Sequence, residues 1–172
     1  MPKGFILDTC VISETSRVKP HPQVIRFIET ASNLFIPAAA IMEFQQGITQ
    51  LQSRDPTKAA QLAGWYQKLL SSGIPILNTG REIAETWGKL SADPRLRNLL
   101  VSRPEAKRIR HGQDLHLAAA ALIKGIPIAT FNIKDFLLID TYYPLPGIYD
   151  PQLDKWYSST IAPCPPALHM AS

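Results

Sequence analysis

Short apolar runs alternate with longer helical patterns along this chain, and this alternation constrains the fold more than any other feature. Four such runs are bounded by polar or turn-forming residues and are short enough to be buried strands: Phe5–Leu7, Leu34–Ile36, Ile74–Leu77 and Ile126–Ala129. A fifth, short strand is expected at the edge of the sheet, at Gly147–Tyr149. Strands that alternate with helices predict a parallel sheet with helices on both faces.

Helical patterns occupy the segments between these strands. The predicted helices span residues 22–31, 38–53, 56–72 and 112–124, and a further helix begins near residue 79. Thr79 and Glu82 have the spacing of a capping box and should open that helix. The polar segment Phe131–Phe136 is expected to be a loop or turn.

Composition narrows the class of protein. The 172 residues suffice for one ordinary domain, and 45% apolar with 19% charged residues is a globular composition. No apolar run approaches the roughly 18–20 residues of a membrane span, and the N-terminal run is too short for a signal peptide. Cys10 and Cys164 form neither a disulfide framework nor a zinc-binding pattern, so a cytoplasmic protein with no membrane partner is expected.

The end of the chain is rich in proline. Pro163, Pro165 and Pro166 follow one another closely, and residues 152–172 are therefore expected to be a tail that lies on the surface or is partly disordered. The predicted domain is residues 1–151.

Four acidic residues stand where a parallel sheet would place a functional site. Asp8 ends the first strand, Glu43 lies one turn into a helix, Asp114 opens another helix, and Asp135 follows the fourth strand. Carboxylates gathered at one edge repel each other, and a hard divalent cation such as Mg²⁺ or Mn²⁺ removes the conflict. Such a site can activate water toward a phosphodiester, as in a metal-dependent nuclease.

Each of these acids also has an ordinary structural interpretation. Asp8 and Asp135 are compatible with turns, Glu43 with an exposed helix face, and Asp114 with a helix N-cap.

A basic stretch precedes Asp114. Arg103, Lys107 and Arg110 fall at i, i+4 and i+7, which is one face of a helix. With a formal net charge of +4, this face could follow a phosphate backbone, or it could simply be solvated.

Together these residues resemble a PIN domain, and specifically a VapC-type toxin ribonuclease of a toxin–antitoxin pair. The resemblance rests on LDTCVISE at residues 7–14, IMEFQQGI at 41–48, DLHLAAAA at 114–121, ATFNIKDF at 129–136 and GIYDP at 147–151. It spans residues 4–151 in order and at family spacing.

The resemblance implies a five-stranded parallel sheet in a three-layer α/β sandwich. It implies cleavage of RNA with Mg²⁺ or Mn²⁺, a cognate antitoxin that neutralises the enzyme, contact with DNA only through the antitoxin complex, and a homodimer. Carried over by position, the acidic site is Asp8, Glu43, Asp114 and Asp135, and Thr9 and Asn132 are polar groups beside the metal or substrate.

Two positions depart from the family pattern. Cys10 replaces the usual Asn and removes an amide near the metal, and Phe131 stands where a basic residue is frequent. Both changes bear on substrate preference and activity more than on the fold.

Two other functions compete with the ribonuclease. A phosphatase with an aspartate nucleophile is disfavoured, because that chemistry usually requires a second acid two residues after Asp8, where Cys10 stands. The alternative from another class is a catalytically weak PIN-like binding module that acts on DNA through an antitoxin complex.

Overall fold

A computed structural model of the chain describes residues 4–100 and 112–157. Its strands are β1 (Phe5–Leu7), β2 (Leu34–Pro37), β3 (Ile76–Leu77), β4 (Ile128–Ala129), β5 (Ile148–Asp150) and β6 (Lys155–Trp156). Its α-helices are α1 (Thr9–Glu14), α2 (Pro22–Thr30), α3 (Ala38–Gln52), α4 (Pro56–Leu70), α5 (Arg81–Ala92), α6 (Gln113–Lys124) and α7 (Ile133–Tyr142). A 3-10 helix, Pro94–Leu99, follows α5.

The strands form one sheet in the order β3-β2-β1-β4-β5-β6. Neighbouring strands from β3 to β5 are parallel, and Ile6 of β1 pairs with Phe35 on one side and Ile128 on the other. The prediction of an α/β fold with a parallel sheet is confirmed.

Helices cover both faces of the sheet, which makes the three layers. Consecutive strand residues point to opposite faces, so Ile6 belongs to the core cluster under α5, α6 and α7, and Leu7 to the cluster under α1–α4. Both side chains are almost completely buried. The sheet is therefore hydrophobic on both sides, as expected of parallel sheets.

The segment predicted as a loop between Phe131 and Phe136 is instead the start of a helix, and that prediction was wrong. Phe136 and Ile139 in α7 are one helical turn apart, and both are completely buried in the core. Burial of these two side chains stabilises a helix. The polar residues of this segment, which were interpreted as a turn, lie at the start of that helix.

The sheet has a sixth strand, and β5 is not its edge. β6 pairs antiparallel with β5 through a turn in which Asp150 Oδ1 accepts the backbone N–H groups of Gln152 and Leu153. Trp156 lies on Gly147, where a Cβ would come within 2.7 Å of the indole ring. Residues 155–156, expected in the tail, thus belong to the sheet, whereas residues beyond 157 lie outside the described part.

The predicted capping box at the start of α5 was also wrong. The N-cap of α5 is Gly80, which has no side chain that could accept a hydrogen bond from the first turn. The hydroxyl of Thr79 lies 2.6 Å from Nε2 of His116, a buried residue of α6. Thr79 therefore ties the loop before α5 to α6 and does not cap its own helix.

The prediction that Asp55 caps α4 is confirmed, since its Oδ1 accepts the backbone N–H of Lys58. The short helix α1 was not predicted from the sequence. Among the described residues, no helix is long and apolar enough to cross a membrane.

Candidate active site

Asp8 lies at the carboxyl end of β1, beside the residue that follows β4. Because β1 and β4 are parallel neighbours, their ends bring Asp8 next to Thr130. The Thr130 hydroxyl donates to Asp8 Oδ2 at 2.6 Å, and the Cys10 thiol donates to the same oxygen at 3.2 Å. Asp8 is buried, and these two bonds fix the orientation of its carboxyl group.

Asn132 connects this pair to two further carboxylates. Its backbone N–H donates to the Thr130 hydroxyl at 2.8 Å. Its side-chain Nδ2 donates to Asp114 Oδ2 at 3.0 Å and to Asp135 Oδ2 at 2.9 Å. We call these five residues, Asp8, Thr130, Asn132, Asp114 and Asp135, the carboxylate network.

Helix starts position the two outer carboxylates. Asp114 lies in the first turn of α6, whose N-cap is Gly112, so the interpretation of Asp114 as an N-cap is wrong. Gly112 has φ 70°, a left-handed conformation that favours glycine. Asp135 lies in the first turn of α7, whose N-cap is Asn132.

Burial dominates the electrostatics at Asp8. Removal from water raises the pKa of its carboxyl above the ordinary value, and the hydrogen bonds from Thr130 and Cys10 oppose that rise. Burial, with the nearby charge of Asp8, also raises the pKa of the Cys10 thiol. Cys10 is therefore a protonated hydrogen-bond donor and not a thiolate.

The donor set suits a hard divalent cation. Across residues 4–100 and 112–157, no three Asp, Glu, His or Cys side chains group closely enough to hold one ion together. Mg²⁺ is commonly held by only one or two carboxylates and keeps several waters. Asp114 and Asp135, whose oxygens share one amide donor, fit that requirement, and so does the buried oxygen donor Asp8.

The remaining predicted site residues have different positions. Glu43 is a half-buried residue of α3, a helix that packs against α6, and it is not a member of the carboxylate network as defined above. Thr9 contributes a backbone hydrogen bond to Asp8. Arg103, Lys107 and Arg110 lie outside the described residues.

Sequence reasoning missed Thr130. The resemblance implied Thr9 as a polar group beside the metal or substrate, but the hydroxyl that bonds the Asp8 carboxyl is 122 residues away in the chain. The available signal was the position of Thr130 directly after the fourth strand, at the edge where the acids were already expected.

The fold and this edge define an α/β protein with clustered carboxylates at the ends of its parallel strands. The model of the PIN domain family matches residues 5–140. The chain belongs to the PIN domain family, whose members are generally nucleases, and the resemblance noted from its motifs is confirmed.

Solved structures share the fold. FitAcB from Neisseria gonorrhoeae is 19% identical with a TM-score of 0.56, covering 86% of this chain and 97% of that chain. DNA-bound VapBC from Salmonella typhimurium is 22% identical with a TM-score of 0.58, covering 86% and 98%. VapBC2 from Rickettsia felis, bound to a DNA fragment from its promoter, is 14% identical with a TM-score of 0.53, covering 89% and 98%. No curated protein matches the chain.

Proposed function

We propose that this protein is a metal-dependent endoribonuclease and the toxin of a toxin–antitoxin pair. The observation that carries the proposal is the carboxylate network, in which Asp8, Asp114 and Asp135 are joined through Thr130 and Asn132. Membership of a family of nucleases supports the reaction class, and the motifs over residues 4–151 support the toxin subtype.

Asp114 and Asp135 would hold Mg²⁺, or Mn²⁺ in its place, directly, and Asp8 and Glu43 are proposed as further acids of the site that bind the waters the cation keeps. When bound, the cation lowers the pKa of a water and neutralises charge that develops on phosphorus. Asn132 keeps two carboxylate oxygens close to each other, and Thr130 fixes Asp8 beside them. These bonds hold the oxygen donors in place before an ion arrives, which lowers the cost of organising the site.

Cleavage of RNA with and without Mg²⁺ or Mn²⁺ tests the proposal. Asp114→Asn and Asp135→Asn alter the proposed ligands themselves, and each should lower the rate by about 100-fold or more, since outer-shell changes alone cost about 10–100-fold at metal sites. Glu29→Gln is the matched control, because Glu29 is an exposed acid near the end of α2, the helix that leads into β2. Full activity in Asp114→Asn, or cleavage that ignores metal, would contradict the assignment.

The partner is proposed to be a cognate antitoxin, with DNA contacted through the complex. Support comes from the similar structures, two of which are toxin–antitoxin assemblies described as bound to DNA. The measurement is DNA binding by the chain alone and by the chain with its antitoxin. Antitoxin-dependent DNA binding without any RNA cleavage would favour the binding-module alternative.

A homodimer is also proposed, and α3 offers a surface for it. Met42, Gln45 and Thr49 lie about one turn apart on its exposed, uncharged side, which lines an open groove. Light scattering on the purified chain measures the mass directly, and a monomer at micromolar concentration would contradict the proposal.

A further inference from the structure

We propose that Arg81 and Lys134 bind the phosphate backbone of single-stranded RNA on opposite sides of the carboxylate network. This inference rests on the proposed ribonuclease function and names the residues that would hold its substrate.

Arg81 lies beside the start of α6, which carries Asp114. β3 ends at the same edge as its parallel neighbours, and α5 begins at Arg81 shortly after it. Thr79, two residues earlier, contacts His116 of α6 at 2.6 Å, and α5 and α6 pack against each other. The loop that leads to Arg81 therefore lies against the first turns of α6.

Lys134 lies on the other side of α6. It is the second residue of α7, between Asn132 and Asp135, and Asn132 bonds directly to Asp114. The Lys134 side chain is exposed, and no ion pair to it occurs in the part of the chain that the structure describes. The start of α6 thus has one exposed cation in the helix on each side.

The negative charge of the carboxylate network requires positive charge nearby if an RNA strand is to bind there. The network brings three acidic residues to the edge, which would repel a phosphodiester unless positive charge holds the strand nearby. Arg81 is 86% exposed, and its Nε is 3.7 Å from Glu85 Oε1. An exposed ion pair at that distance contributes little free energy, so the guanidinium can exchange Glu85 for a phosphate.

Two helices that end at the opposite edge of the sheet supply matched controls. Lys68 lies in the last turn of α4, which leads into β3, and Lys124 lies in the last turn of α6, which leads into β4. Both are exposed cations at the edge where these parallel strands begin, away from the carboxylate network. Their loss removes the same charge without touching the proposed path.

The test is binding of a labelled single-stranded RNA across a salt series, in an Asp114→Asn background that does not cleave. Arg81→Gln and Lys134→Gln should each lower the log–log salt slope by roughly 0.7 and weaken two unrelated sequences equally. Lys68→Gln and Lys124→Gln should leave the slope unchanged. Glu85→Gln should tighten binding, because it frees Arg81 from its competing partner.

The outcomes separate this inference from the proposed function. An unchanged slope in both Arg81→Gln and Lys134→Gln, with salt-dependent binding by the parent, overturns the phosphate path alone. Equal losses in the Lys68→Gln and Lys124→Gln controls also overturn it, as does a loss of antitoxin binding with RNA binding intact. If the wild type neither cleaves nor binds RNA, the ribonuclease proposal fails as well. Thermal melts of each variant show that the fold is retained.

Discussion

Thr130 is the residue on which the geometry of the site most depends. It is completely buried, its hydroxyl donates to Asp8, and the same oxygen accepts the backbone N–H of Asn132. A single hydroxyl thus joins the buried carboxyl to the residue that holds the two outer carboxylates. Loss of that hydroxyl removes one of the two side-chain donors to the buried Asp8 Oδ2, the other being Cys10. It also leaves the half-buried backbone N–H of Asn132 without this acceptor.

Thr130→Val keeps the shape of the side chain and removes only the hydroxyl group. We expect the free energy of unfolding to fall by about 1–3 kcal/mol, because buried polar groups lose their bonds. We expect nuclease activity to fall roughly 10–100-fold, as for other residues that orient metal ligands. Chemical denaturation and a cleavage assay measure the two effects.

Thr130→Ser is the control for that variant. It keeps the hydroxyl and loses one methyl group, which costs about 1 kcal/mol and should leave most activity. If the Val and Ser variants are equally stable and equally active, the hydroxyl does not organise the site.

At the scale of elements, Asp93 joins the ends of two helices far from the site. Its Oδ2 accepts Nη2 of Arg95 at 2.6 Å and the hydroxyl of Tyr143 at 2.8 Å. Its Oδ1 accepts the backbone N–H of Arg95 at 2.9 Å. Asp93 therefore ends α5, begins the 3-10 helix, and attaches both to the end of α7.

The hydrogen bonds from Arg95 hold the pKa of Asp93 well below its ordinary value. Because the pKa is lower in the folded state, the stabilisation is present above the unfolded value of about 3.9 and is lost as pH falls toward the folded value. Asp93→Asn should therefore be less stable than wild type at pH 7, and the difference should shrink below about pH 4. Urea unfolding at several pH values measures it.

Asp55→Asn is the matched control, since Asn caps a helix as well as Asp does. That variant should unfold with the wild type at every pH. A difference between wild type and Asp93→Asn that is independent of pH would contradict the role given to the Asp93 charge.

Gly112 sets where α6 begins, and with it the position of Asp114. Both Gly112 and Gly125, at the two ends of α6, have left-handed backbones, with φ 70° and 64°. A Cβ on Gly112 would lie 2.8 Å from Leu100 Cδ2, whereas Gly125 faces open space. Gly125→Ala should cost about 1 kcal/mol from backbone strain alone, and Gly112→Ala more.

Only Gly112→Ala should also lower nuclease activity, because it shifts the turn that carries Asp114. Denaturation and cleavage assays on the pair separate strain from contact. Equal stability losses and equal activities would show that the contact with Leu100 does not matter.

At the scale of the whole molecule, stability and the site are linked through Asp8. A carboxyl buried at the centre of the sheet edge is costly to ionise without a nearby cation, as its raised pKa indicates. A cation bound beside Asp8 would offset that cost.

Magnesium or manganese at a hundredfold excess over the dissociation constant should stabilise the fold by about 2.7 kcal/mol. Asp8→Asn should raise the melting temperature of the metal-free protein, since it removes the buried charge, and should reduce the gain from metal. Thermal melts with metal and with a chelator measure both. Equal melting temperatures of the wild type under the two conditions would contradict a shared cation site.

The sequence by itself determined the layers of the molecule and the edge where the acids lie. Short apolar runs such as Phe5–Leu7, alternating with helical patterns, favour buried strands between helices, and the parallel α/β fold was confirmed. Once strands are parallel, their carboxyl ends share an edge. Asp8 and Asp114 could therefore be placed near each other, as their common link through Asn132 and Thr130 shows.

Tertiary structure alone decided which partner each polar group takes. Thr79 has the local spacing of a cap but bonds His116 across the fold, and Thr130 reaches Asp8 from 122 residues away. α7 was likewise mistaken for a turn, because burial of Phe136 outweighs the polar residues around it. Local patterns reflect backbone preference and periodicity, whereas these contacts depend on which elements pack together, and that is set by the core of the whole domain.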